Sequence, residues 1–340
     1  RFASKTGCFG SLKDMNRKKL LLCGATGFIG RNLLARFLEK GEYELYATYF
    51  RTAPPELASS HGVVTFLNVD LTNKSQVHEA VAGMDIVIQA AAMTSGARDI
   101  VTKPHDHVAD NAIMNSLIFR ACHESKVQHV LFFSCTIMYP SGTAPVTEED
   151  FDGRIMDKYF GAGWTKVYLE KMCEFYSRIG QTQYTAIRHS NIYGPFDKYD
   201  FEKSHVFGAT VAKVMSSAEP GTITVWGNGS EERDLLYIDD LTEFVEKVLV
   251  MQKSPFELIN VGGGISICVA DLARRIIRQS GKNLKIEFDN NKPTIPFSLK
   301  LNIDRASRLY QWSPKTSLDK GIAKTLEWYR SYHRQKQEAL

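Results

Sequence analysis

Several features are scarce in this chain, and each scarcity narrows what it can be. Its six cysteines in 340 residues, Cys8, Cys23, Cys122, Cys135, Cys173 and Cys268, form neither Cys-x-x-Cys pairs nor zinc-site spacing. They read as reduced thiols of a cytoplasmic protein, several at apolar positions. No apolar run approaches the ~20 residues of a membrane span. The net charge is only +4 and no dense basic stretch accompanies it. That argues against nucleic acid and for no more than mild attraction of an anionic ligand. Internal repeats and low-complexity stretches are also missing. What remains is an ordinary globular chain, long enough for one large domain or two joined ones. Residues 1–16 read as an extension or added sequence, without the apolar core of a secretion signal, and Met15 reads as a start.

What is present is organised around Leu20 to Gly30. An apolar run, Leu20 to Cys23, meets Gly24, Gly27 and Gly30. A helical pattern follows, with Ile29, Leu33 and Phe37 four apart. Strand, tight turn and helix in that order suit a dinucleotide pyrophosphate. Glycine lets it approach the backbone, and the helix N-terminus holds its charge. Thr26 and Phe28 complete the turn. The next strand, Glu44 to Phe50, ends on Tyr49-Phe50-Arg51 with no carboxylate. An acid there would favour NAD(H), whereas Arg51 would accept a 2′-phosphate, so the expectation leans to NADP(H) over NAD(H). The strand Val63 to Val69 runs into Asp70 and Leu71. That carboxylate either meets the adenine amino group or N-caps the helix beginning near Asn73. A strand from Asp85 to Gln89 leads into Ala90-Ala91-Ala92, small enough for close cofactor approach. A helix over Asp110 to Lys126 and a strand over His129 to Ser134 follow. This alternation from Lys19 to about Arg188 predicts an α/β fold, a Rossmann-type doubly wound parallel sheet. Its ligand should lie beyond the carboxyl ends of the strands.

Chemistry concentrates in two stretches. Phe133-Ser134-Cys135-Thr136-Ile137-Met138-Tyr139-Pro140 ends a strand, and Gly161-Ala162-Gly163-Trp164-Thr165-Lys166 opens a helix. Three further motifs accompany them: Gly-Ala-Thr-Gly-Phe-Ile-Gly at 24–30, Arg188-His189-Ser190-Asn191-Ile192-Tyr193-Gly194-Pro195, and Arg233-Asp234-Leu235-Leu236-Tyr237-Ile238-Asp239-Asp240. Together they make the chain resemble the extended short-chain dehydrogenase/reductases of the nucleotide-sugar epimerase/dehydratase family, from Lys19 to about Tyr332. Within that family Glu202-Lys203-Ser204-His205-Val206 resembles a segment of the GDP-fucose synthases. Trp226-Gly227-Asn228-Gly229 resembles both those and the GDP-mannose 3,5-epimerases.

The resemblance implies a bound NAD(P), a nucleoside-diphosphate sugar that is GDP-linked, and a Tyr-x-x-x-Lys pair with a Ser or Thr hydroxyl. In such a pair the ammonium sits one helical turn away and favours the phenolate. The Tyr then exchanges a proton with the sugar oxygen while hydride moves. Lys166 fits the family's Lys. The Tyr position holds Ala162, which predicts a chain that binds its ligands but turns over poorly. Tyr159, seven residues before Lys166, reads as a surface or dimer residue. The hydroxyl position falls on Cys135, a poor donor, so Thr136 is expected to supply the hydroxyl with Cys135 close by. Ile137 stands where the related epimerases carry a proton-abstracting Cys, although His205 matches the partner acid of the fucose synthases.

Further implied substrate contacts are Asn191, Lys203, His205 and Arg233. Arg233 is expected on the diphosphate, with a salt bridge to Asp239 or Asp240 as the rival. Lys300 and Arg305 lie where the family places nucleotide contacts, or are simply solvated. Residues 17–190 with a return at 232–255 are expected to form the cofactor domain. Residues 191–231 and 256–334 are expected to form a smaller α/β C-terminal substrate lobe. The family's dimerisation helices correspond to 110–126 and 162–180, which implies a homodimer. Reduction or oxidation at C4 of the sugar is therefore the preferred reading. The alternatives are a 3- or 5-epimerase and a non-catalytic Rossmann-type binding subunit.

Overall fold

The structure, a computed structural model, describes residues 17–54, 63–94, 102–201, 204–292 and 294–338. The 1–16 extension and Lys203 lie outside the described residues. Seven strands build the central sheet: β1 (Lys19–Cys23), β2 (Glu44–Tyr49), β3 (Val64–Asn68), β4 (Ile86–Gln89), β5 (His129–Phe133), β6 (Gln183–His189) and β7 (Phe256–Val261). Their spatial order is β7-β6-β5-β4-β1-β2-β3, and every neighbouring pair is parallel. A parallel sheet needs helices on both faces, which is why β1, β4 and β5 are almost continuously apolar and buried.

Alternation along β1 shows the two cores. Leu20 and Leu22 join Leu33, Leu34 and Phe37 of α1 (Phe28–Lys40) on one face. Leu21 and Cys23 join the other face, which α2 (Lys74–Val81), α3 (Ala109–Glu124) and α4 (Phe160–Ile179) cover through Val77, Ile118, Phe119 and Leu169. Chain order reverses between β1 and β4, which opens a crevice at their carboxyl ends.

The remaining helices are α5 (Val206–Ser216), α6 (Ile238–Met251), α7 (Val269–Ser280), α8 (Asp304–Tyr310) and α9 (Leu318–Glu338). Helix α6 packs beside α1, tied by the Arg36–Glu246 ion pair at 2.9 Å. Three small sheets build the rest of the second half. Asn191–Tyr193 pairs with Glu232–Tyr237, which also pairs with Ser266–Cys268. Gly221–Trp226 pairs with Leu284–Asp289, and Pro145–Val146 with Lys300–Leu301.

Two local expectations are corrected. Asp70 does not cap α2: the Asn73 side chain accepts from the N–H groups of Ser75 and Gln76, while Asp70 accepts from Thr72. Tyr159 is buried rather than on the surface. It packs edge-on to Phe297 at 5.7 Å between centroids, because α4 begins at Phe160 and turns the preceding residue inward.

Candidate functional site

The turn after β1 is shaped by steric need. Gly24 has φ of +77°, and a Cβ there would stand 2.6 Å from the Ala91 Cα. A Cβ on Gly30 would stand 2.1 Å from the Gly24 carbonyl oxygen. The turn is therefore clamped against both the strand end and its own helix. Gly27, the N-cap of α1, brings no side-chain cap, and the first turn of α1 holds no acidic residue. The unpaired N–H groups there form a cradle for an anion, and that cradle fits a dinucleotide pyrophosphate.

A cleft of about 640 Å³ runs from this turn along the strand tips. Gly24, Thr26, Gly27, Phe28 and Ile29 line one end, with Arg51 at the tip of β2, Asp70 and Leu71 beyond β3, and Ala90 beyond β4. Gly30 sits buried beneath the turn. Hydrogen bonds from Thr72 hold the Asp70 carboxyl below its usual range, with a smaller contribution from the Arg51 charge. At the other end, Cys135 and Thr136 follow β5, Ala162 and Lys166 project from α4, and Asn191 and His205 close the wall.

Lys166 donates to the Phe133 carbonyl at 2.8 Å, and its ammonium lies 4.7 Å from the Phe132 ring centroid. Burial pushes this ammonium down, opposed by the nearby Cys135 and Glu170. Burial pushes the Cys135 thiol up, opposed by Lys166. The thiol is accordingly neutral at physiological pH. Ala162 stands one turn before Lys166 on the same cleft wall and offers only a methyl group. Ile137 lines the cleft as an apolar group.

His205 is the N-cap residue of α5 and keeps a face open to the cleft. Burial, then the charges of Lys198, Arg233 and His107, push its pKa down, so the ring is neutral at neutral pH. Arg233 is not among the cleft-lining residues. Its guanidinium donates to the carbonyls of Phe297, Glu232 and Ile295. The rival salt bridge is corrected as well. Asp240 accepts from the N–H groups of Lys315 and Thr316, and Asp239 pairs with Lys324. Arg305 is paired with Glu148 and Glu149 and donates to the Leu258 carbonyl.

Under the cleft floor lies a buried polar network. Glu170 of α4 accepts from Ser134 at 2.5 Å and from Arg188 at 3.0 and 2.7 Å. Arg188 also donates to Tyr139 at 2.9 Å, and Tyr139 donates to Asn260 at 2.7 Å. The network pins the start of the Ser134–Tyr139 turn to α4 and β6.

Among the cleft residues that the sequence reading gave no role, two are titratable groups that close its wall. His189 closes β6, and Asp197 follows the Gly194-Pro195 turn. The Asp197 Oδ2 is buried with no hydrogen-bond partner, and burial pushes the carboxyl up to about 7. Inspecting every residue at a strand's carboxyl end would have found His189, whereas nothing local marks Asp197. Among the described residues, no group of three metal-ligating side chains occurs, and no helix is long and apolar enough to cross a membrane.

Comparison with known proteins agrees with this geometry. The NAD dependent epimerase/dehydratase family matches residues 20–262. GDP-L-colitose synthase of Yersinia pseudotuberculosis is 25% identical over 316 residues, which covers 92% of this chain and 97% of that protein. GDP-L-fucose synthase of Escherichia coli is 26% identical over 329 residues, covering 93% and 97%. Among solved structures, UDP-glucose 4-epimerase of Thermotoga maritima superposes with a TM-score of 0.81 at 20% identity, covering 93% and 99%. That last likeness concerns the fold.

Proposed function

The chain belongs to the NAD dependent epimerase/dehydratase family, and from that premise we propose that it oxidises or reduces C4 of a GDP-linked sugar with a pyridine nucleotide. The observation that carries this reading is one cleft joining the glycine cradle of α1 to Lys166, Cys135 and Thr136. A pyridine nucleotide in that cleft supplies the capacity to accept or give a hydride. The protein's own residues do the rest. The N-terminus of α1 holds the pyrophosphate. Arg51 at the tip of β2, with no carboxylate at that tip, favours a 2′-phosphate and thus NADP(H) over NAD(H). Lys166, fixed on the Phe133 carbonyl, places positive charge beside the reacting oxygen. Thr136 orients that oxygen. The second half of the chain supplies Asn191 and His205 to the cleft wall, toward the sugar and its diphosphate, whereas the Arg233 guanidinium, held on main-chain carbonyls, is not assigned to the diphosphate.

Ala162 removes the phenol that would exchange the proton, so turnover is slow. Ala162→Tyr should raise kcat about 10²-fold or more, followed by reduced-nicotinamide absorbance with GDP-4-keto sugars and GDP-mannose. Tighter binding of NADPH than of NADH should accompany it. A protein that binds cofactor yet turns over no nucleotide sugar, with or without the Tyr, refutes the reading. Ile137 in the cleft wall counts against 3- or 5-epimerisation, since it cannot remove a proton. Solvent deuterium entering the sugar would reinstate that alternative. A non-catalytic binding subunit is what remains if the Tyr restores nothing.

A further inference from the structure

We propose that His189 exchanges, through Nε2, the proton that residue 162 cannot carry; this rests on the oxidoreductase reading above. The Phe133–Ile187 register of β5 and β6, continued two residues, sets His189 level with Cys135. Its ring stands edge-on to Phe133, 6.0 Å between centroids, and lines the cleft. Lys166 from α4 and His205 from the start of α5 are close enough to act on its charge. Nδ1 lies 2.8 Å from the Ser190 carbonyl oxygen. A carbonyl only accepts, so Nδ1 carries the proton and Nε2 presents a lone pair. Among the described residues the Ser190 carbonyl is the ring's one hydrogen-bond partner, which leaves Nε2 for a ligand. Three neighbours on the Lys166 side of the cleft cannot do the same work. Lys166 is held on a carbonyl, Cys135 is a neutral thiol, and Ala162 is a methyl.

In alcohol oxidation the C4–H bond breaks with its electron pair, which goes as hydride to the oxidised pyridine nucleotide. The hydroxyl proton moves to Nε2. The products are a ketone, the reduced nucleotide and an imidazolium. Ketone reduction runs the same two transfers in reverse. In the free protein, burial and the charges of Lys166 and His205 push the imidazole down to about 4. Cys135, level with it, adds no charge. A diphosphate entering the cleft brings negative charge near the ring, offsets the Lys166 ammonium and favours the imidazolium, so the pKa rises on binding.

The test uses histidine-labelled protein, with the His189 ring resonance assigned by its loss in His189→Asn. It should titrate near pH 4 in the free protein and about one unit or more higher with saturating GDP-mannose. A pKa that does not move overturns the proposal. In kinetics, His189→Asn should lower kcat about 10²-fold beside Ala162, with cofactor Kd changed less than about threefold. Beside an Ala162→Tyr change the same substitution should cost far less, because the phenol takes over. Equal losses in both backgrounds overturn the proposal. Absence of turnover in both backgrounds refutes the oxidoreductase reading instead, and the resonance titration then decides on His189 alone.

Discussion

Asp197 shows how a single buried carboxyl can couple stability to pH. Its folded pKa is about 7, against an ordinary 3.8, because burial disfavours the charge and Oδ2 has no partner. Between those values the folded state binds more protons than the unfolded chain. The stability tied to the neutral carboxyl is complete below about pH 4 and is lost as pH rises through about 7. Asp197→Asn carries no charge at either extreme. Its melting temperature should match wild type near pH 4 and exceed it near pH 8, measured by calorimetry. An equal loss at both pH values would show that shape rather than charge matters. Nothing in the sequence marks this residue, since burial and an orphaned oxygen are products of distant packing. Lys166 differs, because its spacing from Ala162 on a helix was readable locally.

At the scale of elements, the joint between α4 and β6 is an ion pair in which Glu170 and Arg188 are each 3% exposed. Removing one partner strands the other's charge, so Glu170→Met or Arg188→Met should each cost about 3–5 kcal/mol in urea denaturation. The Glu170→Met, Arg188→Met double should fall well short of their sum, because no buried charge is left unpaired. Additive losses would argue against the coupling. Strands and helices themselves were legible to within a few residues, since period-2 and period-3.6 patterns are local. The ion pair was not, because its partners lie 18 residues apart on different elements. Asp70 marks the same limit. An acid just before a helix suits two roles, and only the fold shows Asn73 doing the capping.

For the whole molecule, the outward face of α4 carries a stripe at Phe160, Trp164, Tyr168, Phe175 and Ile179, with Ile113 on the adjoining α3. Phe160 is 60% exposed and Tyr168 54%, and clustered exposed apolar side chains of this kind mark an interaction surface. We expect two copies to pair there. The Tyr168→Glu, Phe175→Glu double should sediment as a monomer while still binding cofactor, because Ala162 and Lys166 face the cleft instead. A wild-type monomer in sedimentation would end that expectation.

Local patterning was enough for the doubly wound sheet and the glycine turn, because periodicity and the backbone freedom of glycine act within a few residues; the association of Lys166 with Cys135 was implied by the family resemblance. Packing between distant segments turned Tyr159 inward and set the Arg233 guanidinium on main-chain carbonyls. The same packing brought His189 to the cleft with one ring nitrogen unpartnered among the described residues. Those outcomes depend on which surfaces meet when distant segments pack, and no local pattern encodes that.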